Sequence, residues 1–118
     1  MGTITEYAFR PYAEALRGAY RKSLLKFGMS TNSPISSLTK EELLSLQDSP
    51  ERRFLLDMSE YYATLDPFER RVLVSEALER GLHYLFWYVS SLSDRDYRRL
   101  RKRVCEPVFL DAKKEGLL

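Results

Sequence analysis

The sequence predicts an all-α protein of five or six helices. Three observations carry that prediction: helix-start signals recur along the chain, apolar residues follow each of them at helical spacing, and no segment alternates apolar with polar residues between turn dipeptides as a strand would. A chain of 118 residues with 44% hydrophobic content, including 8 Tyr, 6 Phe and 1 Trp, has enough apolar material for a core of its own.

In chain order, Pro11 suits a first helical turn, and Tyr12, Leu16, Ala19, Tyr20, Leu24 and Phe27 then repeat at helical spacing until Gly28 offers a stop. The expectation is a helix over about 10–27, whose other face carries Arg17, Arg21, Lys22 and Lys26, a second basic patch that could meet nucleic acid but more simply keeps the helix solvated. Residues 29–37, MSTNSPISS, are rich in breakers and read as a polar hinge loop. Thr39 with Glu42 forms a capping box and Leu38 with Leu43 the matching hydrophobic staple, opening a short helix over 40–47. Residues 1–48 therefore read as an N-terminal helical arm, and 49–118 as a domain carrying a C-terminal helix-turn-helix.

That second unit opens with Ser49 as N-cap and Pro50 at the first helical position, ahead of a stripe of Phe54, Leu55, Met58, Tyr61, Tyr62 and Leu65. Asp66-Pro67-Phe68-Glu69 repeats the pattern, with a carboxylate at the third helical position, and predicts a helix to Arg80 that stops at Gly81. Phe68, Val72, Leu73, Ala77 and Leu78 give it an inner side. The run LHYLFWYVS, 82–90, is too short to span a bilayer and too dense in large side chains for an exposed surface, so a mostly buried helix is expected. Ser91-Leu92-Ser93 is a connection of the length that joins the two helices of a helix-turn-helix.

The helix expected over about 94–105 organises the rest. Ser93 is its N-cap, Asp96 sits where a capping-box carboxylate belongs, and Leu92 and Tyr97 stand at staple positions. At 100° per residue Tyr97, Leu100 and Val104 fall within about 60° of one another, with Arg95, Arg98, Arg99 and Lys102 on the opposite side. Between Asp94 and Arg103 six basic side chains face two acidic ones, a net +4 where the whole chain carries only +2. The basicity is local, as an element that reads duplex DNA in the major groove requires. Pro107 is expected to end the helix, with Val108, Phe109, Leu110, Ala112 and Leu117 forming a short closing helix or tail.

Enzymatic chemistry finds no footing. No HxxEH, GxxxxGK[ST], GxGxxG or GxSxG pattern occurs, so no catalytic residue, cofactor or metal is expected. Cys105, the one cysteine, reads as a half-buried helical thiol, and the lone His83 as a packed or surface side chain in an aromatic helix. No apolar run reaches the ~18 residues of a membrane span, and the N-terminus lacks a leader's basic-then-apolar order, so a cytoplasmic protein is expected.

The residues also carry a resemblance. LDPFERRVLVSEAL resembles the L-x-x-x-E-R-x-V/I-L pattern that opens region four of the bacterial sigma factors. The stretch from there through YVSSLSDRDYRRLRKRV resembles the ArpU-type phage late-transcription regulators, in which a Leu-Ser start leads into a Tyr-rich basic helix. The likeness covers roughly 52–112. It implies that Tyr97, Arg98, Arg99, Arg101 and Lys102 lie on a recognition helix and that Leu65, Leu73, Leu78, Leu85 and Val89 form its scaffold. The chain departs from the pattern at Ser91, where many such turns have Gly, and in the aromatic run 84–88. The expectation is a phage- or prophage-type transcription regulator that binds duplex DNA through Arg95, Tyr97, Arg98, Arg99, Arg101 and Lys102. The alternative is a helical interaction protein that binds RNA polymerase or another host or phage protein through its basic and aromatic surfaces. Either could act as a homo-oligomer.

Overall fold

The computed structural model describes residues 6–78, 88 and 91–118. Among them the protein is all-helical, with five α-helices and no strand: α1 (Glu6–Lys26), α2 (Lys40–Leu44), α3 (Pro50–Thr64), α4 (Pro67–Leu73) and α5 (Asp94–Lys114). A 3-10 turn, Ile35–Ser37, precedes α2, and a π-helical segment, Val74–Leu78, continues α4. No helix of the described residues is long and apolar enough to cross a membrane.

The local signals act where the sequence places them. Thr39, Ser49, Asp66 and Ser93 each accept the backbone N–H three residues on, from Glu42, Arg52, Glu69 and Asp96. Each such cap satisfies a backbone donor that the helix leaves without an internal partner. At Asp66 the box is reciprocal, since the Asp66 N–H in turn donates to Glu69 Oε1 at 3.0 Å. At Thr39 the hydroxyl bonds the Glu42 carboxylate directly, at 2.9 Å. Gly28, at φ 71°, ends α1 in a left-handed turn, with the Met29 N–H returning to Leu24 O and the Gly28 N–H to Leu25 O, both at 3.0 Å.

Three boundaries differ from expectation. α1 begins at Glu6, so Pro11 lies inside the helix instead of in its first turn. α2 ends at Leu44, short of 47, and the side chain of Leu44 is exposed. Most consequentially, Pro107 does not end the last helix: α5 runs unbroken through it to Lys114 and stops at Gly116, φ 76°, in the same type of turn that closes α1. Proline removes the N–H that would bond the Arg103 carbonyl and crowds the preceding turn. Packing compensates. The Tyr61 hydroxyl of α3 donates to the neighbouring Val104 carbonyl at 2.7 Å, while Val104, Cys105, Val108, Phe109 and Ala112 on either side of the proline are all buried.

One apolar cluster joins the elements. Phe9, Leu16, Tyr20 and Leu24 of α1 meet Phe54, Leu55 and Met58 of α3, Val72 and Leu73 of α4, Ala77 and Leu78 of the π segment, and the buried face of α5. The expected boundary at 48/49 thus falls between helices that share a core. The loop before α2 is anchored as well: Ile35 is buried and the Tyr20 hydroxyl donates to Ser33 O at 2.8 Å. The helix expected over 82–90, the end of the preceding one at Arg80 and the stop at Gly81 lie outside the described residues, except that Tyr88 is buried.

Candidate nucleic-acid interface

The contacts that anchor the start of α5 among the described residues lie on its Tyr97 side. Tyr97 is buried, with its ring stacked on Tyr88 at 3.6 Å between centroids and 2° between planes. Its hydroxyl donates to Glu76 Oε2 in the π segment. The Tyr88 hydroxyl donates to Asp94 Oδ1 at 2.9 Å, which ties the first turn of α5 to the same cluster. Glu76 does more than accept from Tyr97. Its other carboxylate oxygen lies 4.0 Å from Arg101 Nη1, and its backbone carbonyl accepts from Arg17 Nη1 of α1 at 2.7 Å. A π segment shifts the helical hydrogen-bond register, and carbonyls there are open to outside donors. The Arg17 guanidinium fills that role at Glu76.

This geometry divides the six residues expected to meet DNA. Arg95, Arg98 and Arg99 are exposed and Lys102 is half-buried, all on the side away from Tyr97. Among the described residues none of the four forms an ion pair or hydrogen bond. The other two leave the set. Tyr97 is 1% exposed, enclosed by Tyr88 and Glu76, and cannot reach a groove. The apolar stripe already contained it, and burying a large ring outweighs presenting its hydroxyl to water. Arg101 lies about 40° around the helix from Tyr97. It turns toward the core side, its guanidinium carbon 4.3 Å from the centroid of the Phe9 ring and its Nη1 beside Glu76. Arg103, also exposed, is held instead by Glu69 Oε2 at 3.4 Å.

Two acids stand at the start of α5, beside this face. Asp94 and Asp96 lie in the first turn, where backbone N–H groups make the helix end positive. They favour the helix end that the neighbouring arginines disfavour. Several cations elsewhere are matched: Arg52 and Arg53 pair with Asp48, Lys26 with Glu51, and Lys114 with Asp111.

Cys105 is buried, not half-buried. Burial and the Glu76 carboxylate push its thiol well above the ordinary range, so it stays protonated and inert. The residue that sequence reasoning missed is Glu76. In the sequence it is one more acid on an amphipathic helix, and its partners Arg17, Tyr97 and Arg101 come from distant segments. One group with metal-ligand spacing occurs among the described residues, Asp57, Asp111 and Glu115, and Arg53 and Lys114 already bond its carboxylates. The chain matches no family model, no curated protein and no solved structure.

Proposed function

We propose that the chain is a DNA-binding transcription regulator of the phage or prophage type, which contacts duplex DNA through Arg95, Arg98, Arg99 and Lys102 on the N-terminal half of α5. No chemistry on the DNA forms part of the proposal. One observation carries it: four cations share a single face of a capped, well-packed helix, and among the described residues none of them forms an ion pair or side-chain hydrogen bond. Arg95–Arg98, Arg95–Arg99, Arg98–Lys102 and Arg99–Lys102 stand three or four residues apart, where each like-charge pair destabilises a helix by roughly 0.2–0.5 kcal/mol. A face whose only task is to be wet has no need of that arrangement, since alternating signs would serve better. Phosphates remove the repulsion and release counterions as they are bound. The likeness to sigma region four and the ArpU-type regulators points the same way and rests on the residues quoted above.

The test is titration of the wild type and of R95A, R98A, R99A and K102A against duplexes from the gene's own neighbourhood and against unrelated duplex, between about 50 and 200 mM salt. Each side chain that meets a phosphate should, on removal, lower the slope of log K against log salt by about 0.9. Arg98 or Arg99 is expected to read a base edge, because the N-terminal part of the helix usually does so in this motif. Its loss should cost about 1–3 kcal/mol on the specific site and much less on random duplex. If none of the five proteins binds, or all bind alike, the proposal fails and the protein-partner alternative takes its place.

A further inference from the structure

The C-terminal half of α5 lies against α3, and the seam between them gathers more carboxylates than cations. Asp57 of α3 and Asp111 and Glu115 of α5 each bring an oxygen within 4.8 Å of the others. The Asp111 side chain is 18% exposed and that of Glu115 9%. Two cations face them. Arg53 of α3 donates through Nε to Glu115 at 2.9 Å, but its Nη1 is shared with Asp48, at 3.0 Å. Lys114 lies 3.3 Å from Asp111 and 4.0 Å from Glu115. Among the described residues, Asp57, Asp111 and Glu115 therefore have only Lys114 and a share of Arg53 to balance them.

The rest of the seam supplies no donor to Asp111. Met58, Tyr61, Pro107 and Val108 line, with the two aspartates, a cleft of about 180 Å³. Tyr61 directs its hydroxyl to the Val104 carbonyl. Asp111 Oδ2 is buried without a hydrogen-bond partner. A buried carboxylate oxygen beside a second carboxylate is completed most cheaply by a proton between them.

We infer that Asp57 and Asp111 share one proton across the α3–α5 seam, so that the C-terminal turns of α5 dock more tightly on α3 as the solution becomes acidic. The electrostatics agree. Burial above all, then the hydrogen bond and charge of Asp57, push the Asp111 carboxyl up to about 6, against the opposing pull of Lys114. A carboxyl raised in the fold binds its proton there at a pH where the unfolded chain has lost it. The contribution is fully present below the unfolded value of about 3.9, is lost as pH rises to about 6, and is absent above that. Tyr61, raised further by burial, stays neutral throughout and takes no part.

The experiment compares the full-length wild type with D111N and D57N by amide hydrogen exchange in residues 108–117 and by urea unfolding, from about pH 4 to 7.5. Asparagine at 111 resembles the protonated carboxyl. D111N should therefore match the wild type at the acid end and open less readily near neutrality, the ratio of opening constants changing by on the order of ten-fold across the range. D57N, which removes the second charge, should reduce the pH dependence of the wild type and move its midpoint down. Reading each variant against the wild type cancels the titration of groups common to all three proteins. Ratios that stay constant with pH in both variants would mean an ordinary polar contact and overturn the inference. D111N less protected than wild type near neutrality would overturn it as well.

Discussion

Removing the Tyr97 hydroxyl tests whether that side chain positions α5 or belongs to the proposed DNA-contacting face. In Tyr97→Phe the ring keeps its place: it is buried and stacked on Tyr88 at 3.6 Å, and phenylalanine fills the same volume. What disappears is the bond to Glu76 Oε2. Hydrogen bonds to a charged partner contribute about 1.5–3 kcal/mol. Glu76 is 22% exposed and retains Arg101 nearby, so water and the guanidinium make up part of the loss, and about 1–2 kcal/mol is expected. For a domain of this size that corresponds to a fall in Tm of about 3–10 °C. Tyr97→Ala, which also forfeits the stack and leaves a cavity, should cost about 3–5 kcal/mol or more. Thermal unfolding gives both values, and a salt titration of DNA binding on the same protein gives the slope. Tyr97→Phe should leave that slope unchanged at a temperature where the variant is folded. A variant as stable as the wild type but with weakened DNA binding would refute the reasoning and return Tyr97 to the interface.

Pro107→Ala should stabilise the protein by on the order of 1–2 kcal/mol, because α5 is already helical there, position 107 is exposed and alanine restores the N–H that the Arg103 carbonyl lacks; chemical denaturation measures it, and a loss of stability would mean that the proline ring is itself packed. Cys105 should resist a thiol reagent in the native state and react fully in denaturant, so rapid labelling of the folded protein would contradict its burial.

Much of this molecule is decided within four residues of chain. The caps at Thr39, Ser49, Asp66 and Ser93 and the stop at Gly28 could be read directly, because a capping side chain, its backbone donor and the first apolar turn are neighbours in sequence. The exposure of Arg95, Arg98 and Arg99 and the burial of Val104 were legible for a related reason: helical periodicity converts residue number into direction. Periodicity already placed Tyr97 on the inner stripe, and it was the family likeness, not the spacing, that assigned it to DNA.

Tertiary structure decided what depends on partners far along the chain. Pro107 forbids a hydrogen bond but does not forbid a helix, and α5 continues because its buried residues on both sides of the proline gain more from one straight seam against the core than the missing bond costs. Arg101 is one more arginine in a basic run until the Phe9 ring and Glu76 draw it inward. Glu76 acquires its part only where α1 and α5 converge on the π segment, and Asp57 meets Asp111 only where α3 and α5 pack. Such juxtapositions leave no periodic trace in either segment. They arise when apolar faces close on one another and oblige the charged groups at the margins to find partners in whatever lies opposite.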